Sequence, residues 1–153
     1  MKSILIAIVA IVLQTSSHDQ VIKVNPGGTW TFKNNQCKAN KFIHHYYSFT
    51  AFDTTQSPQP KFIIDFFEKP PVENGTYKMV AGRPMAPDQV DIGVGYMHDG
   101  VLTFYSSTGG NGKETVNVTV KNGIVTVSGA GIELANQKNQ NDKSKLTFNV
   151  TML

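Results

Sequence analysis

The fold is decided by residues 115–127, TVNVTVKNGIVTV, in which apolar and polar side chains alternate. The pair Asn122-Gly123 in the middle of this stretch is a strong signal for a two-residue hairpin, because a type I′ turn needs positive φ at both central positions. Such a loop pairs Lys121 with Ile124, and all the valines then share one face of the hairpin. A slip of one residue would destroy this sorting, so the turn chemistry and the burial pattern agree.

The same period of two recurs along most of the chain, with Gly, Pro and Asn between the alternating segments. No window has a sustained helical period with caps. The predicted strands are Val21–Val24, Thr29–Lys33, Phe42–Phe52, Phe62–Phe67, Thr76–Val80, Val90–Met97, Val101–Tyr105, Thr115–Val120, Ile124–Val127, Ile132–Leu134 and Leu146–Met152. This pattern predicts an all-β fold, an antiparallel β-sandwich of about nine to eleven short strands. A closed antiparallel β-barrel is the alternative, since both architectures alternate inward and outward residues.

The first residues have the pattern of a secretory signal peptide. Lys2 gives a positive start, Ile4–Leu13 is an uninterrupted apolar run, and Thr15–Ser17 supplies small residues for cleavage. The run is too short for a spanning helix, which needs about 20 apolar residues. We therefore predict a signal peptide at residues 1–17, a single all-β domain at residues 18–153, a secreted or periplasmic location, and no stable membrane insertion after the signal is removed.

Charge and cysteine content argue against two classes of protein. The chain has a formal net charge of +3, but its lysines are scattered and Arg83 is its only arginine. Nucleic-acid binding usually requires a clustered basic face, so no nucleic-acid partner is expected. Cys37 is the only cysteine, which excludes an internal disulfide framework and leaves packing to hold the domain.

The segment His98–Gly100 is compatible with two turns. A two-residue loop would place Tyr96 and Phe104 on opposite faces of the hairpin. A three-residue loop would pair Met97 with Val101 and bring Tyr96 and Phe104 to the same face. Because one face of a strand pair is expected to collect the apolar groups, we predict the three-residue loop.

The hairpin formed by Phe42–Phe52 and Phe62–Phe67 has large apolar side chains on both faces. If Phe52 faces Lys61 across a loop at residues 53–60, one face is core and the other needs separate cover. The residues of this second face are the predicted ligand-binding residues: Tyr46, Ser48, Ile63, Asp65, Phe67 and His44. The cover could be a ligand, a second subunit or the Pro-rich stretch Arg83–Asp88. Cover within the chain costs no association entropy, so we expect a monomer rather than a homodimer.

Residues that often carry chemistry do not form a recognisable set. Trp30 could stack on a sugar ring, but it shares a strand face with Phe32, which favours core packing. His44 and His45 are adjacent in a predicted strand and point to opposite faces, so no metal site is predicted. Residues 135–145 are polar and predict a mobile surface loop.

The sequence therefore favours a non-catalytic binding or surface-interaction module for an unknown protein or carbohydrate ligand. No catalytic residue and no cofactor is predicted. One alternative is an exported hydrolase that uses carboxylates, for which groups such as Asp65, Asp88 and Asp91 would have to converge. The other is a lipocalin-like carrier of a small apolar ligand, which requires a closed barrel around a cavity.

Overall fold

The computed structural model describes residues 20–32, 38–41, 46–109 and 113–152, and the regular elements in these residues are all β-strands. The predicted signal peptide, His44 and Cys37 lie outside the described residues. The strands are β1 Gln20–Asn25, β2 Gly28–Phe32, β3 Lys38–Lys41, β4 Tyr46–Phe52, β5 Lys61–Phe67, β6 Gly75–Met79, β7 Gln89–His98, β8 Val101–Ser107, β9 Thr115–Lys121, β10 Ile124–Asn136 and β11 Lys143–Met152.

All eleven strands belong to one hydrogen-bonded sheet. Its order is β2-β1-β11-β10-β9-β6-β7-β5-β4-β3, and β8 pairs with both β7 and β10. The pairs are antiparallel except for β6 and β7, which run parallel where Met79 pairs with Val90. The path ends at β2 and β3, and the sheet is not a closed barrel. The all-β prediction is confirmed, with one parallel pair added to the expected antiparallel arrangement.

The sheet folds over so that two layers face each other. Phe62 of β5 meets Phe148 of β11 with ring centroids 5.2 Å apart. Trp30 of β2 meets Tyr96 of β7 at 5.3 Å. All four side chains are buried, so the core lies between β4, β5, β7 and β8 on one side and β1, β2, β10 and β11 on the other, as in a sandwich. Trp30 packs in this core, as predicted.

The β9–β10 hairpin has the predicted register. Lys121 pairs with Ile124, and Asn122 and Gly123 have φ values of 53° and 78°. The inward valines of both strands are buried or half-buried, whereas Asn117 and the threonines beside it are exposed or half-buried. Local turn chemistry and burial therefore select the same pairing.

Strand β10 is longer than predicted, because the two segments expected at its ends form one strand with a bulge. Its register with β11 shifts between Gly129 and Ile132. A Cβ atom on Gly129 would lie only 2.8 Å from Cδ1 of Ile132, so a larger residue at this bend would force the neighbouring side chains to shift. Beyond the bulge, β10 leaves β9 and pairs with β8 through residues 134–136.

The boundaries predicted for the polar loop at residues 135–145 were wrong. Strand pairing continues until Ala135 faces Lys143, which leaves a connection of residues 137–142. The carboxylate of Asp142 accepts hydrogen bonds from the Asn136 amide at 2.7 Å and from the Tyr105 hydroxyl at 2.9 Å. These bonds tie the end of the loop to β8 and β10, which composition alone does not reveal.

The three-residue loop predicted at His98–Gly100 was also wrong. His98 pairs with Val101, so Asp99 and Gly100 form a two-residue turn with φ values of 48° and 77°. As a result, the side chain of Tyr105, and not that of Phe104, points into the core. The Tyr105 side chain is 1 % exposed, and its ring stacks on that of Tyr96 with centroids 5.2 Å apart and planes 11° from parallel.

Candidate functional site

The β4–β5 hairpin has the predicted register. Tyr46 pairs with Phe67, Ser48 with Asp65, and Phe52 with Lys61. Because directly opposed residues of antiparallel strands share a face, the structure brings five predicted ligand-binding residues together: Tyr46, Ser48, Ile63, Asp65 and Phe67. The sixth, His44, lies outside the described residues.

The loop between β4 and β5 is organised by Asp53. Its Oδ1 accepts hydrogen bonds from the Thr55 N–H and hydroxyl, and its Oδ2 accepts one from the Gln56 amide. Burial raises the pKa of Asp53, but these bonds and one from the Thr31 N–H outweigh it, so the pKa lies below its usual range. Thr31 belongs to β2, so this carboxylate also connects the loop to the other layer.

The face that carries the predicted residues continues across β7 and β8. Lys61 of β5 pairs with Gly95 of β7, and Gly95 pairs with Phe104 of β8. With Phe52 opposite Lys61, one row of residues crosses four neighbouring strands. We call this surface of β4, β5, β7 and β8, turned away from the core, the outer face.

One end of the outer face is largely covered. Ser48 and Thr50 are buried, and Tyr46 and Phe67 are half-buried. The guanidinium of Arg83 lies 5.6 Å from the centroid of the Tyr46 ring. The stretch that was considered as intramolecular cover therefore reaches this face at Tyr46.

The other end of the outer face is apolar and exposed. Four side chains, which we call the apolar patch, are exposed to 37–44 %: Phe52, Met97, Leu102 and Phe104. Met97 and Leu102 are directly opposed, and a Cβ atom on Gly95 would lie 2.5 Å from Cε1 of Phe104. The Phe104 ring therefore lies directly over the glycine. Sequence reasoning missed β8's share of this surface, because the wrong loop length turned Phe104 towards the core.

Two grooves lie near the outer face. One, of about 360 Å³, runs beside the apolar patch between residues 101–104 and residues 136–138. The other, of about 370 Å³, lies beyond the end of β5 and is lined by Phe67, Tyr77 and a Pro-rich segment that includes Pro70 and Pro71. The first groove adds the polar side chains of Asn136 and Lys138 to the edge of the apolar patch.

A pair of carboxyl groups lies beside Ser48, towards the covered end of the outer face. Asp65 of β5 and Asp91 of β7 are directly opposed. Burial raises the pKa of Asp65, against the opposing effects of the Ser48 hydroxyl and the Lys61 charge. Burial raises the pKa of Asp91 to about 7; a hydrogen bond with Ser107 opposes this shift, and the charge of Asp65 adds to it.

The positions of Asp65, Asp88 and Asp91 do not favour the hydrolase alternative. Asp88 is not part of the pair, because its carboxylate forms an exposed ion pair with Lys78 at 3.4 Å. The Oδ1 atom of Asp65 is buried and has no hydrogen-bond partner in the described structure. A glycosidase pair must admit a sugar and a water molecule between its carboxyl groups. The burial of Asp65 does not favour such access.

Comparisons with protein families, with curated proteins and with solved structures find no match for this chain. Within the described residues, no cluster of three or more His, Cys, Asp or Glu side chains could hold a metal ion. The same residues contain no helix of the length and apolar character needed to cross a membrane. The function must therefore be argued from the outer face itself.

Proposed function

We propose that this protein is an exported, non-catalytic binding module that holds a protein partner on the apolar patch. The observation that supports this proposal is the exposure of four large apolar side chains on one sheet face. Monomeric soluble proteins rarely leave such groups side by side in water, and a contiguous apolar area often marks an interaction site. Lys61, whose ammonium group is 5.8 Å from the centroid of the Phe52 ring, adds a positive charge within this surface.

The chemistry of the patch favours a protein over a carbohydrate. Phenylalanine and methionine are enriched at protein interfaces. Sugar rings stack best on broad, accessible aromatic faces, but Trp30, Tyr96 and Tyr105 are all buried. The five predicted residues that the structure describes, including Tyr46 and Phe67, lie on the same face towards its covered end and would flank a partner seated on the patch.

The proposal can be tested with a matched set of surface variants. A displayed peptide library and a glycan array provide the probes, and affinities are then measured for the wild-type protein, Leu102→Lys, Phe104→Lys and Ile124→Lys. Ile124 is the control, because it is 41 % exposed at the tip of the β9–β10 hairpin, away from the outer face. We expect peptide ligands whose affinity falls at least about tenfold in both patch variants, equivalent to ~1.4 kcal/mol, and is unchanged in the control.

Two outcomes would overturn this assignment. Peptide ligands that bind both patch variants as well as wild type would remove the patch as the site. Ligands found only on the glycan array, with affinity lost in Tyr46→Ala or Phe67→Ala, would transfer the function to the covered end of the outer face. Light scattering of the same samples distinguishes a second copy of the chain from a different partner, since only self-association changes the mass without added ligand.

The two alternative functions have less support. A lipocalin-like carrier requires a closed barrel, and this sheet is open between β2 and β3. A carboxylate-dependent hydrolase has a directly opposed pair in Asp65 and Asp91, but one of its oxygens is buried. The apolar patch, in contrast, is open to solvent.

A further inference from the structure

The hydroxyl group of Ser107 lies between two acceptors. Its Oγ is 2.5 Å from the carbonyl oxygen of Val80 and 2.5 Å from Oδ1 of Asp91. A serine hydroxyl has only one hydrogen to donate. If Asp91 were ionised, one of these two oxygens would be in contact with Oγ without a hydrogen between them, which is unfavourable for a desolvated group.

A protonated Asp91 gives every group in this cluster a partner. Its carboxylic O–H then donates to Oγ of Ser107, and the Ser107 hydroxyl donates to the carbonyl of Val80. The N–H of Ile92, 3.4 Å from the same Oγ, donates to the second lone pair. Hydrogens and acceptors match in this arrangement, and they do not match when Asp91 is charged.

The surroundings of the pair also favour a single negative charge. Asp65 faces Asp91 from β5, and opposed side chains on antiparallel strands have Cβ atoms about 5 Å apart. Lys61 of β5 and the Ser48 hydroxyl of β4 both act to keep Asp65 ionised. Arg83, from the connection after β6, also reaches the outer face, where its guanidinium lies over the Tyr46 ring. For Asp91, burial and the charge of Asp65 outweigh the hydrogen bonds from Ser107 and the Ile92 N–H that favour its ionised form, whereas Asp65 also has the positive charge of Lys61 acting on it.

We propose that Asp91 remains a neutral carboxylic acid in the folded protein at weakly acidic pH, and that its proton acts as a pH-sensitive latch between strands. The latch joins β7, which carries Asp91, to Ser107 at the end of β8 and to Val80 immediately after β6. Loss of the proton removes one hydrogen bond and places a second negative charge opposite Asp65. The latch is independent of the binding function proposed for the apolar patch.

The direction of the pH effect follows from the two states of the chain. Asp91 has a pKa of about 7 in the folded protein against 3.8 without the fold. Between these values the folded state binds more protons than the unfolded state, so stability falls as the pH rises through this window. Above the folded pKa, Asp91 is ionised in both the folded and the unfolded chain, so its contribution to the free energy of unfolding no longer changes with pH.

The protonation state can be measured directly in the wild-type protein. Carbon-13 NMR of labelled aspartate side chains should give one carboxyl resonance that titrates near the pKa of about 7, and this resonance should be absent in Asp91→Asn. If every aspartate carboxyl titrates below about pH 5, close to the ordinary range, the latch does not exist. This result does not depend on whether any variant folds.

Unfolding in urea tests the consequence for stability. The urea midpoint of wild type should fall between about pH 5 and pH 8, and the fall should be much smaller in Asp91→Asn, whose amide can donate to Ser107 permanently. Asp88→Asn is the matched control, since it also removes one carboxylate but from an exposed ion pair. The urea midpoint of Asp88→Asn should fall with pH by as much as that of wild type. An Asp91→Asn protein with the full wild-type decline would overturn the proposal.

Discussion

Replacement of Tyr105 by alanine should destabilise the fold far more than replacement of Phe104, although the two aromatic residues are neighbours in β8. Tyr105 is 1 % exposed, stacks on Tyr96 and donates a hydrogen bond to Asp142. Removing a buried ring leaves a cavity, and such changes cost about 3–5 kcal/mol. We expect about 4 kcal/mol for Tyr105→Ala, because the hydrogen bond to Asp142 is lost as well.

Phe104 should behave as a surface residue. Its side chain is 41 % exposed and its ring rests on Gly95. Full burial of a phenylalanine contributes about 1.5–3 kcal/mol, so the buried part of Phe104 contributes about 1–2 kcal/mol, and water fills the vacated space without a cavity term. We therefore expect Phe104→Ala to cost about 1–2 kcal/mol.

The assay is urea unfolding followed by fluorescence of Trp30, the single tryptophan of the chain, which is buried against Tyr96. The difference between the two variants should be about 2–3 kcal/mol, with the larger loss for Tyr105→Ala. Equal losses, or a larger loss for Phe104→Ala, would refute the two-residue turn and place Phe104 in the core. The apolar patch would then lose one of its members.

Three further predictions concern single contacts. Gly95→Ala should lower the free energy of unfolding by about 1 kcal/mol or more, because the new Cβ would lie 2.5 Å from the Phe104 ring. A double-mutant cycle of urea unfolding should show that this loss is smaller in the Phe104→Ala background, where the ring is absent. Tyr96→Phe should lower the free energy of unfolding by about 1–2 kcal/mol, since the hydroxyl donates to the Pro26 carbonyl at 2.5 Å; an unchanged urea midpoint would contradict this. Asp53 has a pKa below its usual range, so its charge stabilises the fold above about pH 4 and this contribution is lost as the pH falls. The stability difference between wild type and Asp53→Asn should therefore shrink on acidification, and a difference that grows would show the opposite sign.

Features set by neighbouring residues could be predicted from the sequence. The β9–β10 register follows from Asn122-Gly123 and the alternation around it, and the β4–β5 register follows from a loop that brings Phe52 opposite Lys61. Both hairpins pair strands that follow each other in the chain. The set of residues that share the second face of β4 and β5 was therefore predicted correctly.

The sequence did not predict features in which several apolar residues could occupy the same core position, or features that depend on strands far apart in the chain. Leu102, Phe104 and Tyr105 are all apolar enough to enter a core, and the choice of Tyr105 depends on Tyr96 of β7 and on Asp142 in the connection between β10 and β11. The pairing of Asp65 with Asp91 joins strands that are not consecutive in the chain, so neither local period nor turn chemistry reveals it.

Strand boundaries failed for similar reasons. Strand β3, Lys38–Lys41, has no apolar alternation in its sequence and forms through its pairing with β4. The glycines at positions 129 and 131 suggested a break between two strands, whereas the structure uses them at a bulge within β10. A partner strand determines the element in both cases.

The most direct test of the proposed binding surface is hydroxyl-radical footprinting of the protein with and without a peptide ligand selected on it. Met97 and Phe104 are exposed members of the apolar patch, and Met85, exposed in the connection between β6 and β7, is an internal reference of the same chemistry. The account predicts that the ligand protects Met97 and Phe104 from oxidation and leaves Met85 unchanged. Protection of Met85 alone, or no protection at Met97 and Phe104 with ligand bound, would contradict it.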